Sequence, residues 1–170
     1  MSEEFLEIVN ERGEVLGLAP RSEMHGNPSL LHRVVHVLVF DPGGRVLLQK
    51  RSMKKDVAPG RWDTSVGGHV DPREKLIEAA IREMEEELGI SSPIEFLYTY
   101  KHSNDYETEL VHTYKCLVDG NCIFSFNKEE IDELRFWRMD EINNVLGSGI
   151  LSDNFEHEIK TYLSRASLNR

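Results

Sequence analysis

Cysteine is nearly absent from this chain: Cys116 and Cys122 are the two in 170 residues. They form no CxxC pair and have no histidine at zinc-finger spacing, which excludes a disulfide framework and a structural zinc knuckle and predicts two reduced thiols. Basic residues are in deficit. Lys and Arg number 20 against 30 Asp and Glu, a net charge of −10, so bulk charge cannot neutralise a phosphate backbone and no nucleic-acid partner is expected. Long apolar runs are missing too. The longest, Val34 to Phe40, is interrupted by His36 and falls far short of the roughly 20 residues of a membrane span, so no membrane partner is expected. The first ten residues are acidic and lack the apolar stretch of a signal peptide, which points to a cytoplasmic location. Repeats, low-complexity tracts and Pro/Gly/Ser linkers are also lacking, which predicts a single domain over residues 1–170. What remains is 39% hydrophobic and 29% charged, a composition that buries a core without staples.

Turn signals and apolar periodicity divide the chain. Phe5–Val9 and Glu14–Leu18, joined at Glu11-Arg12-Gly13, predict an amino-terminal hairpin, an extension of about residues 1–20. Arg21–His25 reads as a short turn. Arg33–Phe40 and Val46–Gln49 flank Asp41-Pro42-Gly43-Gly44 and predict a second hairpin. Arg51–Arg61 is a basic loop, and Trp62–Val66 a short strand running into Gly67-Gly68. Ile77, Ala80, Ile81, Met84 and Leu88 recur at helical spacing and predict a helix from about Pro72 to Leu88. Asp71 would cap it, Pro72 would open it, Glu74 would complete a capping box and Gly89 would end it. Strands at Ile94–Tyr100, Leu110–Leu117 and Leu134–Arg138 follow, then helices near Asp140–Leu146 and Asn154–Leu163. The mixed order predicts an α+β fold, a mixed sheet with helices on its faces.

The central helix carries the chemistry. Glu83, Glu86 and Glu87 are related by i+3 and i+4, so their carboxylates share one face. Clustered carboxylates repel one another unless a cation neutralises them. An all-oxygen donor set suits a hard ion, Mg²⁺ or Mn²⁺. Arg82, four residues from both Glu78 and Glu86, is placed to orient these groups. Gly67-Gly68 ahead of the helix lets the backbone approach a ligand closely.

Gly68, five residues, Glu74, seven residues, then Arg82-Glu83-Met84-Glu85-Glu86-Glu87-Leu88-Gly89-Ile90 resembles the Nudix box over residues 68–90. Seven fixed letters coincide, a chance match of about 10⁻⁷ per starting position from ordinary residue usage. The resemblance implies a Nudix fold, an α/β/α sandwich around a mixed β-sheet, and Mg²⁺- or Mn²⁺-dependent hydrolysis of a small-molecule diphosphate. It implies Glu83, Glu86, Glu87 and the Gly68 carbonyl as metal ligands, with Glu74 and Arg82 as supports. The chemistry agrees, because cleaving P–O–P requires charge neutralisation and an activated water. Glu86 is the first choice for the group that takes the water's proton.

Residues 25–69 also resemble the isopentenyl diphosphate isomerases and hydrolases similar to them, through His25, His32, Arg51, Lys55, Pro59-Gly60-x-Trp62 and Ser65-Val66-x-Gly68-His69. This likeness implies a second metal site at His25, His32 and His69, and a diphosphate clamp at Arg51 and Lys55 beside Trp62. Gly67 stands where those isomerases carry a catalytic cysteine, and a glycine cannot move a proton. Glu107 and Glu109 lie near the places of two strand glutamates of that branch, in a register the sequence leaves open. Glu129-Glu130 offers a further acid. Trp62, Tyr98, Tyr100, Tyr106 and Phe124 are candidate walls of a substrate pocket. The reading is a Nudix hydrolase of nucleoside diphosphate derivatives or other organic diphosphates; isomerase-like activity and a non-catalytic binding module are the alternatives. The amino-terminal hairpin offers an edge for a homodimer.

Overall fold

The computed structural model describes residues 2–169, which form nine strands and four helices. β1 (Phe5–Val9) and β2 (Val15–Pro20) make the first hairpin. Gly13 there adopts φ 79°, and the Asn10 side chain accepts from the backbone N–H of Arg12 and Glu14, so the turn satisfies its own polar groups. α1 (Arg21–Met24) is a single turn that anchors Met24 against Leu6 and Ala19.

β3 (Leu31–Phe40) is the axis of the molecule. Its apolar run is continuous because both faces are covered. Val35, Val37 and Val39 pack on α2 (Leu76–Leu88). Leu38 and Phe40 pack toward α3 (Met139–Val145) and α4 (Asp153–Leu168). One edge of β3 runs parallel to β8 (Thr108–Leu117), from Leu31↔Thr108 to Phe40↔Leu117, and β7 (Ile94–Ser103) pairs antiparallel with β8. Three strands share the other edge. β1 lies opposite Leu31 and His32, β6 (Val66–His69) opposite Val34–Val37, and β4 (Val46–Arg51) meets β3 only at Phe40↔Val46.

The second hairpin therefore differs from the sequence reading. The turn at Asp41–Gly44 reverses the chain, but the strands separate after one pair, and β4 joins β5 (Trp62–Asp63) and β9 (Ile131–Trp137) instead. Ser65 fills the seam. Its hydroxyl accepts from Val39 N–H at 3.0 Å and donates to the Leu47 carbonyl, while the Gln49 amide donates to the Ser65 carbonyl at 3.1 Å. These buried bonds replace the missing ladder.

The central helix also starts later than its periodicity suggests. α2 begins at Leu76, not Pro72, and Asp71 does not cap it. Arg73 adopts φ 65°, a left-handed conformation that a helix interior does not accommodate. Glu74 does accept from Asp71 N–H at 2.9 Å, which is one bond of the expected capping box, but in a turn. The buried stripe is Ala79, Ala80, Met84 and Leu88, while Ile77 is exposed. Gly89 ends the helix at φ 67°, as expected.

Ser152 caps α4, accepting from Phe155 N–H at 3.0 Å and donating to Asp63 Oδ1 at 2.8 Å. Trp62 N–H donates to the Ile150 carbonyl and Ser152 N–H to the Trp62 carbonyl, so the segment before α4 is sewn to the edge of β5.

Candidate active site

The seam between β6 and β4 opens into a cleft of about 930 Å³. A recess of about 280 Å³ beside it brings Glu83, Glu86 and Glu87 together with Arg51, Lys55 and Glu130. The box carboxylates reach these spaces in different ways. Glu87 accepts from Gly67 N–H at 2.9 Å, and burial pushes its carboxyl up to about 8. Glu83 lies against Gly68 so closely that a β-carbon there would stand 2.1–2.5 Å from its carboxylate atoms. Burial also raises Glu83 above the usual carboxylate range, although Arg82 donates to it at 2.8 Å. Glu86 is 60% exposed and receives Arg82 at 3.4 Å.

Arg82 is the hub. Its guanidinium also donates to Glu74 at 2.8 and 3.0 Å and to the His69 carbonyl at 3.0 Å. One planar fork thus fixes the loop after β6 to the helix. Two half-buried carboxylates with raised affinity for protons, beside an exposed third, fit a site that binds a hard divalent cation.

The three histidines converge. Ring centroids are 5.9 Å apart for His25–His32 and 5.3 Å for both His25–His69 and His32–His69. Burial first, then the neighbouring imidazole of His69, lowers His25 to about 4 and His32 to about 3. Neutral imidazole is the ligating form. Both ring nitrogens of His32 and Oε2 of Glu109 are buried without a hydrogen-bond partner.

The parallel register of β3 and β8 decides what the sequence left open: His32 is opposite Glu109. Glu107 Oε2 lies 3.2 Å from His25 Nε2 and 3.7 Å from His32 Nε2, and burial and Glu107 push Glu109 up to about 7. His69 Nδ1 lies 3.2 Å from Glu4 Oε1, so β1's leading segment orients that ring. Orphaned buried nitrogens and acids facing one another fit a transition-metal ion, the donor set being mixed imidazole and carboxylate. No sequence pattern couples Glu4 to this cluster; only the hairpin's return beside β3 brings it there.

Other expected site residues divide. Arg51 lines the cleft, with its guanidinium donating to the Val57 carbonyl at 2.7 Å and to Asp63 at 3.3 Å. Lys55 lines it too and pairs with Glu130, while Lys54 pairs with Glu129 at 2.6 Å. Glu130 thus borders the recess and Glu129 does not. Trp62 is a correction: it lies in the core against Trp137, ring centroids 5.3 Å apart, and lines neither space. On β5 its ring projects toward α3 and α4, where apolar burial outweighs any surface role. Tyr98 and Phe124 are likewise packed inside, and of the five candidate aromatics Tyr106 alone lines the cleft.

The sheet thus splits beside a glycine pair, with a glutamate-rich helix beneath the split. The family model described as NUDIX domain matches residues 30–155, and the chain belongs to that family. The Nudix hydrolase YfcD of Escherichia coli K12, itself uncharacterised, is 44% identical over 90 residues, covering 53% of this chain and 49% of that protein. The chain thus spans about half the length of such curated relatives. An isopentenyl-diphosphate Delta-isomerase of Streptomyces griseus is 43% identical over 87 residues, covering 51% of this chain and 44% of that protein. Among solved structures, DR0079 of Deinococcus radiodurans superposes with a TM-score of 0.74 at 24% identity, covering 88% of this chain and 92% of the other, which shows the shared fold. No described helix is long and apolar enough to cross a membrane.

Proposed function

We propose that this chain is a Mg²⁺- or Mn²⁺-dependent hydrolase that cleaves the phosphoanhydride of a nucleoside diphosphate derivative or another organic diphosphate. The observation that carries this reading is the recess in which Glu83, Glu86 and Glu87 face Arg51 and Lys55. Acids that hold a cation and bases that hold phosphate are the two halves such a reaction needs. Glu83, Glu86, Glu87 and the Gly68 carbonyl would hold the ion. When bound, it would neutralise phosphate oxygens and acidify a water. Arg82 keeps the acids in place, Arg51 and Lys55 orient the diphosphate, and Glu86, the exposed member, accepts the water's proton. Phosphate release from a panel of nucleotide sugars, dinucleotides, nucleotides and isoprenoid diphosphates, with each metal, tests the reading. Folded protein that releases nothing from any of them would refute it.

The histidine cluster with Glu107 and Glu109 supports a second cation site of softer character. It does not support isomerisation, since Gly67 offers no proton. Interconversion of isopentenyl and dimethylallyl diphosphates by pure protein would overturn that statement. A cytoplasmic setting suits the free thiols Cys116 and Cys122. The exposed Val15, Leu16 and Leu18 on β2 suit a homodimer through the hairpin, which sedimentation would check.

A further inference from the structure

Two polar residues break otherwise apolar stripes, and the fold brings them together. His36 interrupts the run of β3. Glu158 sits between Phe155, Ile159 and Tyr162 on the inward face of α4 and is 0% exposed. A carboxylate inside an apolar helix face is costly unless it is fully bonded. Here it is: His36 Nδ1 lies 3.0 Å from Oε1, Thr113 donates to the same oxygen at 2.8 Å, and Tyr98 donates to Oε2 at 2.6 Å. Thr113 and Tyr98 are neutral donors, so His36 is the group in this set that can balance the charge. Burial alone would strip His36 of its proton, but the hydrogen bond and charge of Glu158 outweigh it and hold the imidazole above its ordinary value.

The other side of the ring faces the cleft. His36 pairs with Gly67 across β3 and β6. A β-carbon at Gly67 would stand 3.2 Å from His36 Cδ2 and 3.4 Å from Nε2. The missing side chain therefore leaves the Nε2 edge of the ring uncovered toward the cleft, beside the backbone N–H of Gly67 that donates to Glu87. A buried anion behind the ring and open space before it is the arrangement that orients a histidine toward a ligand.

We propose that His36 is a substrate-binding residue, an imidazolium backed by buried Glu158 that donates its Nε2–H to a phosphate oxygen of the substrate lying over Gly67. Glu158 is a positioning residue that acts through it. This rests on the reading of the cleft as a diphosphate site. Its consequence for that site is a further phosphate contact, contributed by β3, in the cleft that Arg51 and Lys55 also line.

The test is calorimetric titration of methylenediphosphonate, a diphosphate that cannot be hydrolysed, in Mg²⁺ buffer. Wild type, His36→Leu, His36→Gln, Glu158→Gln and the double Gln variant are compared, each checked for its melting temperature. His36→Leu should raise Kd by about 10- to 100-fold, the loss of one charge-assisted hydrogen bond. His36→Gln, whose amide can still donate, should lose less. If the leucine variant does not fold, the glutamine variant carries the comparison. The double variant should bind no worse than His36→Gln, because Glu158 has no route to the ligand except the ring. A lower melting temperature with unchanged Kd in the His36 variants would overturn the proposal and leave the pair a packing device. Additive losses in the double variant would overturn the positioning role. A wild type that neither binds the probe nor releases phosphate from the panel would fail differently, removing the diphosphate reading and this contact with it.

Discussion

Gly68→Ala isolates the metal-site geometry from the fold. The added methyl would stand 2.1 Å from Glu83 Cδ and 2.3 and 2.5 Å from its two oxygens. Ordinary contact needs about 3.5–4.0 Å, so the carboxylate must retreat by roughly 1.5 Å. The retreating atoms are the far end of a flexible side chain, and Gly68 lies in a regular strand opposite Val35, so the backbone can stay where it is. Removing a strand glycine restricts the unfolded chain and contributes about 0.5–1 kcal/mol in favour of folding. Displacing Glu83 from Arg82 opposes that. The net change should be small, within about 2–4 °C in melting temperature for a chain of this size. Metal binding should respond far more, because Mg²⁺ and Mn²⁺ sites accept ligand displacements of only about 0.2 Å. We expect the Kd for Mn²⁺, followed by electron paramagnetic resonance, to rise at least about 10-fold and turnover to fall with it. Unchanged Mn²⁺ affinity and turnover in a folded variant would refute the placement of Glu83 and Gly68 in a metal site. A large loss of apo stability with normal affinity would mean that Gly68 serves packing instead.

Three further outcomes are expected. Glu86→Gln should lower turnover by about 10²–10⁴ if this residue accepts the water's proton, while the apo melting temperature stays level or rises, since Glu86 is exposed and held only by a 3.4 Å contact with Arg82; a near-normal rate would remove it from the mechanism. Arg51→Ala and Lys55→Ala should raise KM more than they lower kcat, because each would contact phosphate already in the ground state; steady-state kinetics on the substrate found in the panel would show it, and unchanged constants would place the clamp elsewhere. His112 is buried, with Nδ1 2.9 Å from Thr99 Oγ1, and burial first, then Arg33, lowers it to about 4. A histidine depressed in the folded state binds its proton more readily when unfolded, so its contribution is present above about pH 6.5 and is lost as pH falls toward 4. Melting curves across pH 7.5 to 4.5 should flatten in His112→Gln, and an identical slope in the variant would contradict this.

Local chemistry was legible wherever the signal is periodic or covalent. The strand and helix types, the turn at Asp41–Gly44, the Gly89 stop and the box spacing from Gly68 to Ile90 follow from side-chain alternation, φ freedom and residue type, all short-range properties. Helix α2 shows the limit: its periodicity is legible along the chain, yet the helix begins at Leu76 because Glu74 is committed to Arg82 and Asp71 N–H, and Arg73 turns left-handed. The three histidines could be grouped by resemblance, but Glu107 and Glu109 join them only through the register of β8 on β3, and register depends on which faces are buried, which no single strand records. Trp62 shows the same limit, since a residue on a two-residue edge strand can face cleft or core until the helices are in place. His36 and Glu158, 122 positions apart, look like isolated flaws in two apolar stripes when read along the chain. Only the packing of α4 on the sheet turns them into a pair, because a buried charge finds its partner in space and the sequence carries no mark of that distance.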